Sequence, residues 1–199
     1  MLISDERLAL RRRHRSVRRR LSASQQWLHA EAVRRFFLAS PLAWRSRRIA
    51  AYLSVDGEVN LRPLLDRLQW MGKLLALPVV ERSSNQMSFF AHRLEAPLTR
   101  NRFGIEEPAP GAPWINTRAL DLVLAPLVAF DEQGNRLGMG GGFYDRHFGA
   151  LPERLRPLLV GVAHEVQRAD ALPAAPWDVP LDGILTEAGW RTFSPRMGF

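Results

Sequence analysis

The sequence contains no cysteine and only one lysine, Lys73, among its 199 residues. Without cysteine, the chain has no disulfide framework, no thiolate zinc site and no cysteine nucleophile. It also lacks an apolar run near the roughly 18–20 residues that span a bilayer, and no apolar signal core accompanies its first arginines. We therefore expect no membrane partner and a soluble, cytoplasmic protein.

Arginine is abundant instead, and it is concentrated in the first quarter of the chain. The formal net charge is +8, yet residues 1–50 hold 13 arginines against three acidic residues, a net of +10 that leaves −2 for residues 51–199. Such a cationic segment binds nucleic-acid phosphates non-specifically, so an Arg-rich nucleic-acid-binding protein is one hypothesis. The segment lacks interleaved aromatic residues and any RNA-binding motif, which disfavours that hypothesis.

The composition and the pattern of apolar residues predict one α/β domain over residues 1–199. The chain is 46% hydrophobic and 24% charged, as is usual for a globular domain. We predict strands at residues 49–54, 74–80, 87–92, 122–125, 158–163 and 183–186. Helices at residues 60–71 and 144–151 alternate with them, whereas residues 93–120 are predicted to be mostly loop. This order favours a mainly parallel sheet with helices on both faces, a Rossmann-like three-layer fold.

The first forty residues predict two helices that pack on this body as an Arg-rich N-terminal extension. Ser22 and Gln25 have the spacing of a capping box, which opens the second helix. The first helix has only a thin apolar stripe, so we expect its cationic side to be exposed.

A glycine cluster between a predicted strand and a predicted helix is the most informative stretch. The segment RLGMGGGFYD, residues 136–145, lies where ligands usually bind in open α/β sheets. It is neither a P-loop nor the dinucleotide fingerprint. Arg136 and Asp145 flank the glycines and supply a guanidinium for phosphate and a carboxylate for Mg²⁺. From these residues alone, a flexible turn and a phosphate site both remain open.

The same segment closely resembles the signature of the 5-formyltetrahydrofolate cyclo-ligase family, also called methenyltetrahydrofolate synthetase. Further segments resemble family motifs in the expected order: YLS at 52–54, EVN at 58–60, LPVV at 77–80, FGIEEP at 103–108 and DGILTE at 182–187. Arg7 and Arg11 occupy positions where the family keeps basic nucleotide contacts. The sequence departs from the family at Gly141, where lysine is frequent, and at Phe143, where tyrosine is frequent.

The resemblance implies an ATP- and Mg²⁺-dependent ligase that forms a C–N bond, converting 5-formyltetrahydrofolate to 5,10-methenyltetrahydrofolate with release of ADP and phosphate. Its partners are then small molecules, and we expect a monomer. The implied catalytic residues are Arg136 and Asp145, and the implied metal ligands are Asp145 and Asp182. The implied ATP-binding residues are Arg7, Arg11, Arg136, Leu137, Gly138, Met139, Gly140, Gly141, Gly142, Phe143 and Tyr144. The implied substrate-binding residues are Leu53, Glu58, Met87 and Phe143.

Other interpretations of these residues remain open at this point. Asp145 suits the first turn of a helix, Asp182 suits a loop, and Glu58 suits a surface turn. An ATP-dependent enzyme of the same fold acting on another pterin- or thiamine-like substrate also fits the glycine loop, although Glu58 and residues 103–108 favour folate.

Overall fold

The computed structural model describes residues 2–81 and 86–199 of the chain. The helices are α1 (Leu2–Arg19), α2 (Ala23–Ala39), α3 (Pro41–Arg45), α4 (Arg62–Trp70) and α5 (Phe143–Gly149). The first seven strands are β1 (Arg48–Ala50), β2 (Leu74–Val80), β3 (Met87–His92), β4 (Leu98–Arg100), β5 (Glu106–Pro108), β6 (Trp114–Ile115) and β7 (Leu122–Pro126). The remaining strands are β8 (Ala129–Phe130), β9 (Arg136–Leu137), β10 (Leu158–Val162), β11 (Gly183–Thr186) and β12 (Gly189–Thr192).

The main sheet has eight strands in the order β12-β11-β10-β7-β1-β2-β3-β6. The five central strands run parallel to one another, whereas the pairs β11-β12, β2-β3 and β3-β6 are antiparallel. This arrangement confirms the predicted fold class. Two small hairpins, β4-β5 and β8-β9, lie outside this sheet.

Alternating side chains of the central strands feed two hydrophobic cores, one on each face of the sheet. Ile49 and Leu122 pack with residues of α2, α3 and α4 on the first face. Ala50 and Val123 point the other way and pack with Phe148 of α5. Because the strands are buried on both faces, they read as continuous apolar runs in the sequence.

Several local predictions are refined by the structure. The capping box is present, since Ser22 accepts from the amide of Gln25 and the Gln25 side chain accepts from the amide of Ser22. The strand predicted at residues 49–54 ends at Ala50. Residues 93–120 are mostly loop, as predicted, and they also contain the short strands β4, β5 and β6. Within the described ranges, no helix combines the length and the apolar character that crossing a membrane requires.

Candidate active site

A cleft of about 2620 Å³ opens at the carboxyl ends of the parallel strands. Its floor includes Tyr52 and Leu53 after β1, Val80 at the end of β2, and Leu127 after β7. The first residues of α5, the glycine loop and one side of α1 form its walls. Ligand sites of drug size usually occupy about 300–1,000 Å³, so this cleft has room for two such ligands.

The glycine loop follows β9 and leads directly into α5. Gly140 and Gly142 have φ angles of 106° and 62°, which side-chain-bearing residues rarely adopt. The Arg11 Nε donates to the Gly138 carbonyl at 2.9 Å, so a cation from α1 rests on the loop. The loop is thus shaped for close approach of a ligand to its backbone.

Four arginines at the helical end of the chain, Arg12, Arg13, Arg19 and Arg20, are exposed as predicted for the cationic side, but four others of α1 point inward. Arg7, Arg11, Arg15 and Arg18 recur at intervals of three or four residues and so share one face of the helix. Arg7, Arg11 and Arg15 line the cleft, and Arg18 is completely buried behind it. The prediction assumed that charged side chains are exposed to solvent. These four guanidinium groups can instead be buried or half-buried, because acidic side chains and carbonyl groups of the body pair with them.

Asp56 and Glu58 are the partners of this face in the turn after β1. Arg18 donates from Nη2 to Asp56 Oδ2 at 2.7 Å and from Nη1 to the Leu127 carbonyl at 3.1 Å. Arg15 also donates to Asp56, and Arg19 contacts it from the rim. Burial by itself would raise the pKa of Asp56, but these arginine hydrogen bonds outweigh it and lower the pKa to about 2.

Arg136 and Asp145 form a shielded ion pair beside the glycine loop. The Arg136 Nη2 lies 2.7 Å from Asp145 Oδ1, which also accepts from the Val179 amide. Burial lowers the pKa of Arg136, and its Nε is buried without a hydrogen-bond partner. Such a donor costs free energy unless a ligand or a water molecule meets it.

Asp178 holds Arg7 at the same wall of the cleft. The Arg7 terminal nitrogens reach its two oxygens at 2.7 and 3.1 Å, a bidentate pair. Burial opposes ionisation of Asp178, but the hydrogen bonds from Arg7 and the Ala175 amide, with the nearby charges of Arg7 and Arg136, together outweigh it and lower the pKa of that carboxyl. Arg7, Arg11 and Arg136 therefore outnumber the acidic residues Asp145 and Asp178 around the glycine loop.

Asp182 is not brought together with Asp145, and this corrects the predicted pair of metal ligands. It precedes β11 and accepts from the Leu159 amide, which places it at the amino ends of the parallel strands. Arg196 neutralises it, with Nη1 at 3.1 Å from Oδ1. Asp145 lies at the opposite, carboxyl edge of the sheet. Parallel strands expose only their carboxyl ends to the cleft, so an acid that starts a strand cannot share its site.

Leu137 is a second correction, within the predicted ATP-binding set. Its side chain is buried against Ala129 and Leu172 in a small core beneath α1, and its carbonyl accepts from the Val128 amide. The other ten residues of that set all line the cleft.

The four predicted substrate-binding residues all line the same cleft. Leu53, Met87 and Phe143 supply apolar walls, and Phe103 meets Phe143 edge-on with ring centres 5.9 Å apart. Glu58 is 8% exposed and accepts from the Val55 amide. Burial is the main influence on Glu58 and raises its pKa to about 7, against the opposing effect of the Val55 amide and Arg18.

Arg15, Arg18, Asp56 and Asp178 were missed in the sequence. The spacing of Arg15 and Arg18 relative to Arg11 was available as a signal, because all of them fall on one helical face. The two aspartates had no such signal, since they meet their arginines only through the fold.

Taken together, the open parallel sheet and the cleft at its carboxyl edge define an α/β enzyme with a cationic, glycine-lined ligand site. The chain belongs to the 5-formyltetrahydrofolate cyclo-ligase family, whose model matches residues 3–187.

Relatives cover most of the chain. It is 36% identical to the 5-formyltetrahydrofolate cyclo-ligase of Escherichia coli K12, over 86% of this chain and 95% of that protein. It is also 36% identical to the enzyme of that name from Haemophilus influenzae, over 92% and 98% of the two chains. The solved structure of 5,10-methenyltetrahydrofolate synthetase from Aquifex aeolicus superposes with a TM-score of 0.79 at 35% identity, covering 97% of this chain and 93% of that one.

Proposed function

We propose that this protein converts 5-formyltetrahydrofolate to 5,10-methenyltetrahydrofolate, using Mg²⁺ and ATP and releasing ADP and phosphate. Its membership in the cyclo-ligase family supports the conversion. One structural observation supports the use of a phosphate donor: the glycine loop, Arg7, Arg11 and Arg136 line the same cleft as Glu58 and several apolar residues. A polyanion and a pterin can therefore lie side by side.

The formyl oxygen is a poor leaving group, and the proposed chemistry converts it into part of phosphate, which leaves readily. The formyl oxygen attacks the γ-phosphorus of ATP, an O–P bond forms, and the bond to the β-phosphate oxygen breaks to release ADP. The neighbouring folate N–H nitrogen then attacks the activated carbon and loses its proton to the departing phosphate or to water, and the former formyl oxygen leaves as part of phosphate. Both steps depend on positioning and on stabilising negative charge rather than on a protein nucleophile.

The residues of the glycine loop would hold the triphosphate. Arg11 uses Nε for the Gly138 carbonyl, so its two terminal nitrogens remain as donors for an anion. Arg136 carries a buried unpaired Nε–H at the same wall. Charge-assisted hydrogen bonds of this kind are stronger than neutral ones, and they orient the phosphates toward the folate half of the cleft.

Asp145 fits a Mg²⁺ ligand that acts together with phosphate oxygens. Its Oδ1 is used by Arg136 and Val179, whereas Oδ2 takes part in neither contact. Mg²⁺ commonly takes one or two carboxylates and completes its shell with phosphate oxygens and water. When bound, the ion neutralises charge on the phosphate oxygens. Asp145 then keeps two tasks, holding Arg136 in place and offering one oxygen to the cation.

Glu58 is the proposed partner of the pterin. A carboxyl group suits the amino group and ring nitrogens of a pterin, because it accepts one hydrogen bond and donates another when it is protonated. With a pKa near 7, the protonated and the ionised forms of Glu58 are both populated at neutral pH. Leu53, Met87 and Phe143 would cover the apolar ring faces.

We further propose that the chain acts as a monomeric, cytoplasmic, single-domain enzyme whose partners are these small molecules. Every residue that the proposed site requires comes from one chain, so no second copy is needed to complete it.

The test mixes purified protein with 5-formyltetrahydrofolate and Mg-ATP and follows the absorbance of the methenyl product. We expect ATP-dependent turnover, and replacing Asp145 by asparagine should lower kcat/KM at least about 100-fold through loss of charge stabilisation. Asp66→Asn is the matched control, because Asp66 forms an exposed pair with Arg62 on α4.

The outcomes separate the two parts of the proposal. No product with the unmodified protein would overturn the function itself. Full activity in a folded Asp145→Asn protein would leave the function standing and remove Asp145 from it.

A further inference from the structure

Two histidines and a glutamate converge outside the active-site cleft, at the carboxyl ends of β10 and β11. His29 extends from α2, His164 follows β10 and Glu187 follows β11. The Nδ1 atoms of the two histidines lie 2.8 Å apart, and Glu187 Oε1 lies 3.4 Å from the His29 Nδ1. One candidate ligand atom from each residue falls within 4.8 Å of the others. Nothing in the folate chemistry uses these side chains.

Hydrogen bonds with neighbouring groups hold His164 and Glu187 in fixed orientations, as is usual for metal ligands. His164 is completely buried, and its Nε2 lies 3.2 Å from the Gly57 carbonyl. Since a carbonyl only accepts, Nε2 carries the proton and Nδ1 presents its lone pair to His29 and Glu187. Metal-ligating histidines typically donate their second N–H in this way. The Glu187 carboxylate is likewise held, by the Glu165 amide at 3.0 and 3.1 Å.

We propose that His29, His164 and Glu187 form a binding site for a divalent transition-metal ion, with Zn²⁺ as the best match. Two imidazole nitrogens and one carboxylate oxygen are a set that zinc accepts, with a fourth position left for water. Imidazole disfavours Mg²⁺ and Ca²⁺, which prefer oxygen ligands. The site is therefore distinct in both ligands and location from the proposed magnesium position at Asp145.

The geometry requires only a small adjustment. At a zinc–nitrogen distance of about 2.0–2.1 Å, tetrahedral ligands lie roughly 3.3 Å apart, about half an ångström more than the present nitrogen pair. His29 is partly exposed and sits on a helix, so its side chain can make that shift.

Metal binding here would tie α2 to the ends of two central strands. It would also steady His164, whose hydrogen bond holds the Gly57 carbonyl between the cleft residues Asp56 and Glu58. We expect the ion to stabilise the folded protein, because the three ligands converge only in the fold.

The test titrates Zn²⁺ alone into the chelator-treated full chain by calorimetry and repeats the titration with His29→Gln and Glu187→Gln. We expect one tight site and a loss of affinity of at least about 100-fold in either variant, since losing outer-shell partners alone costs 10–100-fold. Co²⁺ should give the visible absorption of a four-coordinate site in the unmodified protein and lose it in His29→Gln. Zn²⁺ should raise Tm only where the site is intact.

Two controls isolate the site. His147→Gln removes a half-buried histidine that pairs with Thr117 elsewhere, and it should leave the affinity unchanged. Asp145→Asn should also leave it unchanged, which separates this site from the cleft. The proposal is overturned if the unmodified protein binds no stoichiometric Zn²⁺. It is equally overturned if His29→Gln, whose partly exposed position tolerates glutamine, binds Zn²⁺ as well as the parent.

Discussion

Glu58 is the most strongly perturbed acid of the cleft, and its position explains why. The carboxyl accepts from the Val55 amide and lies 3.8 Å from the buried Arg18, yet burial still dominates and raises its pKa to about 7. In the unfolded chain the same group titrates near 4.5. The folded protein therefore prefers the protonated form of Glu58 over a range in which the unfolded chain is already ionised.

This preference predicts a pH dependence of stability. The contribution of Glu58 to the free energy of unfolding is fully present below about pH 4.5, and it is lost as pH rises through about 7. In Glu58→Gln the group no longer titrates, so the stability of this variant relative to the parent should rise by about 3 kcal/mol between those pH values. Urea unfolding at a series of pH values measures the difference.

Glu153→Gln provides the matched control, because Glu153 is exposed and its replacement should leave the pH profile parallel to that of the parent. A difference between Glu58→Gln and the parent that stays constant from pH 4 to pH 8 would contradict the prediction.

At the scale of whole elements, α1 is attached to the body by ion pairs more than by apolar packing. Leu10 is its contribution to the small core with Ala129 and Leu137. Arg7 and Arg18 reach Asp178 and Asp56, and Arg11 rests on the glycine loop. Arginine therefore positions α1, and in the proposed function arginine of the same helix also binds phosphate.

Arg18 is the residue on which this attachment depends most. We expect Arg18→Met to lower the free energy of unfolding by about 3–5 kcal/mol, because it leaves Asp56 and Glu58 without their buried cation. Urea unfolding of the variant gives the value. Arg12→Met, an exposed change on the same helix, should cost less than about 0.5 kcal/mol. Equal losses in the two variants would show that Arg18 is not the anchor.

The elements that could be predicted from sequence are those whose signals are local. Strand β2 shows as an apolar run, and α2 shows its capping box within four residues. The partners of α1 could not be predicted because they are far away in the sequence, 38 residues from Arg18 to Asp56 and 171 from Arg7 to Asp178. The prediction of Asp182 as a metal ligand was wrong for a related reason. The sequence shows an acid next to a strand, but the direction of its side chain depends on Arg196 and Leu159.

At the scale of the molecule, the charge distribution separates arginines that serve the site from those that face water. The first 50 residues carry a net charge of +10, but only Arg7, Arg11, Arg15 and Arg18 turn inward along α1. Arg7, Arg11 and Arg15 line the cleft, where they suit the small polyanions of the proposed function, ATP and the folate glutamate tail. The arginines of α1 that line the cleft are therefore not available for an outward nucleic-acid surface, which the exposed Arg12, Arg13, Arg19 and Arg20 would have to supply.

Removing an inward-facing arginine should therefore change KM for ATP more than removing outward-facing arginines. Arg11→Gln takes away a cation that lies on the glycine loop, and we expect KM for ATP to rise about 10-fold, in line with the roughly 1.5–3 kcal/mol of a hydrogen bond to a charged group. The double change Arg12→Gln and Arg13→Gln removes more charge from exposed positions. Salt of about 0.1 M screens charges beyond about 10 Å, so KM should then change less than about 2-fold. Steady-state kinetics at fixed ionic strength compares the two. If the double variant raised KM as much as Arg11→Gln, net charge rather than placement would govern ATP binding, and the inward face of α1 would lose its special role.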